Sequence, residues 1–309
     1  MPTSGSSIFT DPEDYQASLH QTLDLLAVPP GGFNARLTQV ELPNLRLFRA
    51  RESVPRVACV SLPPEFIFVT FLTQRDPPVI CDGADLEFGD ILFHSSGERF
   101  YQRTTAPSHW GAISLTPASL MTFGRTLAGR DLTPPPVGRI LRPHPADRTR
   151  LLRLHAEAAR IAETKLVHIA HPEVAHALDQ DLMWALVICV TGSEERADPT
   201  ARRNRARILQ RIEELVAANP AGLPPLREVC GTIDVSEQIV RACCLKGVGM
   251  PPGRYLRLRR LKLARAALRS ADPATASVAE VARRHGFPNP HRFAKEYFDT
   301  YGEVPALAE

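Results

Sequence analysis

Apolar positions along the chain change their spacing several times, and each change predicts a different kind of element. The first thirty residues are polar and then briefly periodic at Leu19, Leu23 and Leu26, which predicts a flexible tail and a short helix stopped by Pro29-Pro30-Gly31-Gly32. From residue 33 to about 120, short runs rich in Val, Ile, Phe and Thr (56–62, 65–72, 79–82, 90–94 and 110–115) are broken by Pro, Gly and Asp. That rhythm predicts a small antiparallel β-domain. Residues 131–145 hold Pro134, Pro135, Pro136, Pro143 and Pro145, a spacer that cannot be regular helix.

Helical spacing then takes over. Leu151, Leu154, Ala158 and Ile161 form one apolar stripe, and Leu178, Leu182, Ala185, Leu186 and Cys189 form a second. A pair of antiparallel helices with such stripes makes a dimerisation face, although packing on the β-domain accounts for the same stripes equally well. Residues 191–205 are polar and charged and read as a linker, and everything beyond them is helix punctuated by Gly and Pro. The expected organisation is a β-rich domain over 1–140, a helical pair over 145–192, a linker over 193–204 and an all-α domain over 205–309.

The last eighty residues repeat themselves. Val229-Cys230 corresponds to Val281-Ala282, Asp234-Val235 to Gly286-Phe287, and Gly249-Met250-Pro251-Pro252 to Gly302-Glu303-Val304-Pro305. Each copy has the parts of a helix-turn-helix: a small residue where helices cross, then a residue that tolerates a left-handed turn, then an apolar plug. The second helix begins with a cap, Ser236 in one copy and Asn289 followed by Pro290 in the other. Phe293 and Tyr297, four apart, face the core and turn His291, Arg292 and Lys295 outward. Between the copies residues 253–270 read as a basic amphipathic helix, whose rigid rod of about 16 residues spans about 24 Å and is able to hold two probe helices toward successive major-groove turns.

Charge agrees with this placement. The chain is +3 overall, but residues 202–309 carry 19 Lys+Arg against 11 Asp+Glu, so the rest is net negative. A positive field concentrated at one end attracts a polyphosphate. The six cysteines show no C-x-x-C spacing and read as reduced thiols. Without a secretory leader or a run of about 18 apolar residues, the chain is expected to be cytoplasmic, with no membrane contact.

The C-terminal third resembles the DNA-binding domain of the AraC/XylS transcription regulators. The matching strings run from Val235-Ser236-Glu237 through Gly249-Met250-Pro251-Pro252-Gly253-Arg254-Tyr255-Leu256 to Val281-Ala282-Arg283-Arg284-His285-Gly286-Phe287, Arg292-Phe293-Ala294 and Tyr301-Gly302-Glu303-Val304-Pro305. The resemblance implies an α+β protein: an N-terminal cupin-like antiparallel β-barrel that binds an effector and dimerises, then two helix-turn-helix units joined by a long helix. It implies a sequence-specific regulator, most often an activator that contacts RNA polymerase, acting as a homodimer on double-stranded DNA. Cys230 and Asp234 depart from the Ala and Gly usual in the family, and either Cys243 or Cys244 stands where a bulky aromatic is usual.

The candidate DNA-binding residues are Ser236, Gln238 and Arg241 in the first unit and Asn289, His291, Arg292 and Lys295 in the second, because Arg and Lys read guanine or hold phosphate while Gln and His pair with base edges. Arg257, Arg259 and Arg260 read as solvated or as phosphate contacts. His94, with Glu98 four residues on, and Trp110 are candidates for the effector site. A cupin-type enzyme with a helical tail is the alternative function, but a lone His94 flanked by Phe93 and Ser95 lacks the converging donors of a metal site, so no metal, cofactor or catalytic residue is expected. His168, His171 and His176 read as solvated or capping residues. A β-domain that binds a protein instead of a metabolite would be packed solid.

Overall fold

Strict alternation along the strands decides how the N-terminal half folds. In β11 (Ser108–Leu115), Gly111, Ile113 and Leu115 point one way while Trp110, Ala112 and Ser114 point the other; in β6 (Ile67–Leu72), Ile67, Val69 and Phe71 oppose Phe68 and Thr70. Apolar residues on both faces mean that the sheet must be covered twice. The computed structural model describes residues 4–19, 23–29, 31–164, 171–196, 198–219, 225–272 and 276–307.

Two antiparallel sheets face each other, the cupin-like arrangement expected. The first runs in the order β1 (Gly5–Phe9), β3 (Ala35–Glu41), β4 (Leu45–Glu52), β11, β6, β9 (Ile91–Phe93), β12 (Arg139–Arg142), β13 (Glu194–Glu195). The second runs β2 (Leu23–Ala27), β5 (Val57–Ser61), β10 (Arg99–Arg103), β7 (Val79–Cys81), β8 (Ala84–Leu86). Helices α2 (Pro117–Ala128), α3 (Pro145–Thr164) and α4 (Pro172–Thr191) cover the outer face of the first sheet, where Leu151, Ala158, Leu182 and Leu186 join Leu47, Val69 and Ile113 in one core. The stripes that could have faced a second chain are thus largely spent on the sheet. By length and composition α4 is apolar enough to cross a membrane, but Leu182, Met183, Leu186 and Val187 are buried in this core.

Three segments differ from expectation. Leu23–Ala27 is a strand, not the end of a helix, and β1 and α1 (Pro12–Ser18) precede it; Leu23 and Leu25 pack beside Tyr15 and Phe33 while Leu26 enters a different core with Tyr101, so burial on both faces mimicked helical spacing. The proline-rich spacer contains β12, and α2 follows β11 where the β-domain was expected to continue. The linker is shorter: α5 (Pro199–Ala218) starts at Pro199, with Asp198 accepting the Thr200 amide, and β13 pairs with β12. His168 lies outside the described residues.

The first residues of α5 staple the helical half to the β-domain. Arg202, 1% exposed, donates to Glu98 at 2.7 Å and to the Gly138 carbonyl at 2.6 Å, and lies 3.7 Å from Asp82. Arg205 donates to the Asp82 carbonyl. Burial pushes the Asp82 carboxyl up to about 7, against the pull of Arg202. A raised carboxyl holds its proton in the folded state after the unfolded chain has lost it, so this contribution is complete below pH ~4 and drains away as pH rises through 7. Asp82→Asn keeps an acceptor for the Tyr101 amide and suits the left-handed φ of 49°. In urea unfolding from pH 5 to 8 the wild type should lose about 2 kcal/mol relative to this variant; parallel pH profiles would contradict it.

Candidate nucleic-acid interface

The C-terminal helices are built around one spine. In α8 (Pro252–Ser270), Tyr255 and Leu256 pack into a core shared with α5, α6 (Leu226–Ile233) and α7 (Glu237–Gly247), whereas Leu261, Ala264 and Leu268 pack with α9 (Val278–Arg284) and α10 (Pro290–Tyr301). At 19 residues the spine is about 28 Å long. One rigid helix therefore serves as core for both units.

In the first unit α6 ends at Asp234, whose φ of 51° and ψ of 50° reverse the chain. The Val235 amide then donates to the Cys230 carbonyl at 3.0 Å, and Ser236 Oγ accepts the Ile239 amide at 3.4 Å to start α7. Val240, Cys243 and Cys244 turn inward. The departures from the family pattern are accommodated: Asp234 takes the left-handed turn, and the paired cysteines fill the core. Burial lifts the Cys244 thiol to about 12, far from a reactive thiolate. All six cysteines are buried and unbridged.

The second unit repeats this geometry. Gly286 has a φ of 77°, the Phe287 amide donates to the Ala282 carbonyl at 2.9 Å, and Asn289 Oδ1 accepts the Arg292 amide at 3.0 Å. Phe293 lies 5.1 Å from Phe287 and 5.7 Å from Tyr297, centroid to centroid, which fixes the roll of α10.

All seven candidate residues are exposed: Ser236, Gln238 and Arg241 on one unit, Asn289, His291, Arg292 and Lys295 on the other. Arg241 pairs with Glu237, Arg292 with Glu296 at 3.0 Å, and Lys295 with Asp299 at 2.7 Å, each one turn along its own helix. Such exposed pairs are weak, so a phosphate can replace the carboxylate at small cost. Ala242 and Leu245, which the sequence reading missed, share the outward face of α7 with Gln238; Leu245 is 52% exposed. The available signal was Leu245 itself, seven residues on from Gln238 and so on the same helix face, while Val240, Cys243 and Cys244 supply the buried face.

The arginines of α8 have partners that sequence could not supply. Arg259 and Lys262 hold Asp24, Arg265 and Arg269 hold Glu13, Arg257 binds Glu296 of α10, and Arg260 donates to the Gly286 carbonyl at 3.3 Å. Arg259, 15% exposed, is not freely solvated, whereas Arg257, 44% exposed, shares the Glu296 carboxylate with Arg292. The pairs to Asp24 and Glu13 dock α8 on the N-terminal half, and beside them lies a cleft of about 730 Å³ lined by Arg56, Thr104 and Arg103 on one side and by Met250, Arg257 and Arg292 on the other.

Of the effector candidates, Trp110 lines a second cavity, of about 300 Å³, between the two sheets. His94 is fully buried with both ring nitrogens engaged, Nδ1 with Glu98 at 2.8 Å and Nε2 with Thr70 at 3.0 Å. Among the described residues no group of three His, Cys, Asp or Glu is placed to hold a metal.

Comparison with known proteins gives the arrangement its relatives. Residues 229–307 match the helix-turn-helix domain family. A probable thc operon regulatory protein of Rhodococcus erythropolis is 37% identical over 79 residues, which are 26% of this chain and 24% of that one. The XylDLEGF operon transcriptional activator 2 of Pseudomonas putida is 32% identical over 100 residues, 32% of this chain and 61% of that one. The chain thus spans about a quarter of the length of the first of these curated relatives. The solved AraC-like transcriptional activator CuxR superposes with a TM-score of 0.46 at 16% identity, covering 86% of this chain and 96% of that one. Over residues 229–307 the chain is thus similar to the helix-turn-helix domain family and to the matching segments of these operon regulators.

Proposed function

We propose that the chain is a sequence-specific transcription activator that binds double-stranded DNA through both helix-turn-helix units and answers to a small molecule held in the β-domain. The observation that carries this reading is the pair of capped, outward-facing helices α7 and α10 mounted on the single spine α8. Gln238, Arg241, His291, Arg292 and Lys295 are the base and phosphate contacts, Ser236 and Asn289 set the start of each probe helix, and Ala242 and Leu245 offer apolar surface to thymine methyl groups. The relatives' names support the activating sign, and with it contact with RNA polymerase. The protein acts as a cytoplasmic homodimer and is not an enzyme.

The cavity beside Trp110 favours a metabolite over a protein partner in the β-domain, because a domain that only docks a protein has no need of an interior void. Its wall is one residue thick toward the helical half. Arg56 lines both this cavity and the cleft bordered by Arg292. Selection of duplexes from a random pool by the full chain should yield one recurrent motif; a pool that stays random after several rounds would defeat the reading.

A further inference from the structure

The cavity between the sheets has an apolar wall with a small polar corner. Phe48, Phe68, Phe100 and Trp110 supply much of the wall, while Arg56 and Gln102 form the corner. At about 300 Å³ it falls at the small end of ligand-pocket size.

The corner is charge-balanced with one guanidinium nitrogen left over. Arg56 Nε donates to Glu52 at 2.8 Å and Nη2 to Gln102 at 2.8 Å, but Nη1 is buried and has no hydrogen-bond partner. Glu52 has no capacity to spare: Tyr15 at 2.8 Å, Ser108 at 2.8 Å and Trp110 at 3.0 Å donate to it as well. An unmade hydrogen bond from a buried cation is costly, so the site favours an acceptor at Nη1. A second negative charge is disfavoured, because Glu52 already neutralises Arg56 and an unpaired anion in an apolar void bears the full cost of desolvation. Arg46, also on the wall, is 48% exposed, pairs with Glu41 at 2.8 Å and lies over the Phe66 ring, so its charge is directed to the surface and screened by water.

We propose that this cavity binds a small, neutral, mainly apolar molecule with one hydrogen-bond acceptor, such as a ketone, ester or amide oxygen, set against Arg56 Nη1. The proposal rests on the regulator reading only for its consequence, that occupancy at Arg56 is felt across the cleft at Arg292.

Three probes of similar size separate the classes: acetophenone is neutral with an acceptor, phenylacetate is anionic, and ethylbenzene has no acceptor. In a Trp184→Phe background Trp110 is the sole tryptophan, so its fluorescence reports the cavity directly. Acetophenone should bind at least tenfold more tightly than either of the others. Arg56→Lys, which keeps a cation for Glu52 but removes the fork, should erase that preference, and Ala112→Leu, which fills the cavity without touching Arg56, should abolish binding. Should Arg56→Lys fail to fold, the three-probe comparison and Ala112→Leu still decide. Phenylacetate or ethylbenzene binding as tightly as acetophenone, no response to any probe, or an acetophenone preference that survives in folded Arg56→Lys overturns the proposal. DNA selection on the same protein is scored separately, so a failed ligand class with intact DNA binding leaves the regulator reading standing.

Discussion

Arg202→Leu should lower the free energy of unfolding by about 3–5 kcal/mol, the usual effect of removing one partner from a buried ion pair. The substitution takes donors from Glu98 and from the Gly138 carbonyl, and leucine supplies none. The Glu98 carboxyl is pushed up by burial but held below its ordinary value by His94 and Arg202, so the variant takes from a buried carboxylate one of the two groups that hold its charge. An exposed pair gives the contrast. Arg160→Ala, which loses only Glu157 on the surface, should leave the urea midpoint unchanged. Equal midpoint shifts for the two variants would show that the staple does not hold the halves together. A variant that unfolds in two separated steps would show that it holds them but that each half stands alone.

The second large effect is on DNA. Arg292→Ala should relax preference at a single base pair by about 5- to 100-fold if its guanidinium meets a base edge. Lys295→Ala should instead weaken all sequences alike and reduce the slope of log affinity against log salt by about one. Arg292 stands at the edge of the probe face, with one flank on the interdomain cleft, whereas Lys295 points away from the buried Phe293 and Tyr297. Uniform weakening by both variants would assign Arg292 to phosphate.

Much of this was legible in the residues themselves. The repeat across the two units was readable because each copy needs the same small residue, left-handed turn and cap, and Asp234 adopts that turn although it is not glycine. The five expected β-runs became strands because alternation is enforced by a sheet with helices on one side and a lined cavity on the other. What stayed hidden depends on pairs remote in sequence. Nothing in the local text joins Glu13 to Arg265 or Asp24 to Lys262, so the basic spine read as a solvated surface when it is a docking face. Arg202 reads as linker in sequence because a charged run near Pro199 looks the same whether its partners are water or Glu98. Strand register hid the cavity as well, since the pairing of Arg56 with Gln102 appears only when β5 and β10 are aligned.

The central claim is that one helix, α8, fixes two probe helices at a set spacing on one face of the duplex. The direct test is the affinity of the full chain for its selected site before and after five base pairs are inserted between the two halves of the motif. About half a turn of rotation should carry one half out of reach of its probe and reduce affinity at least a hundredfold, toward the level of unrelated DNA. Unchanged affinity for the lengthened site would mean that the two units do not read the duplex as a rigid pair.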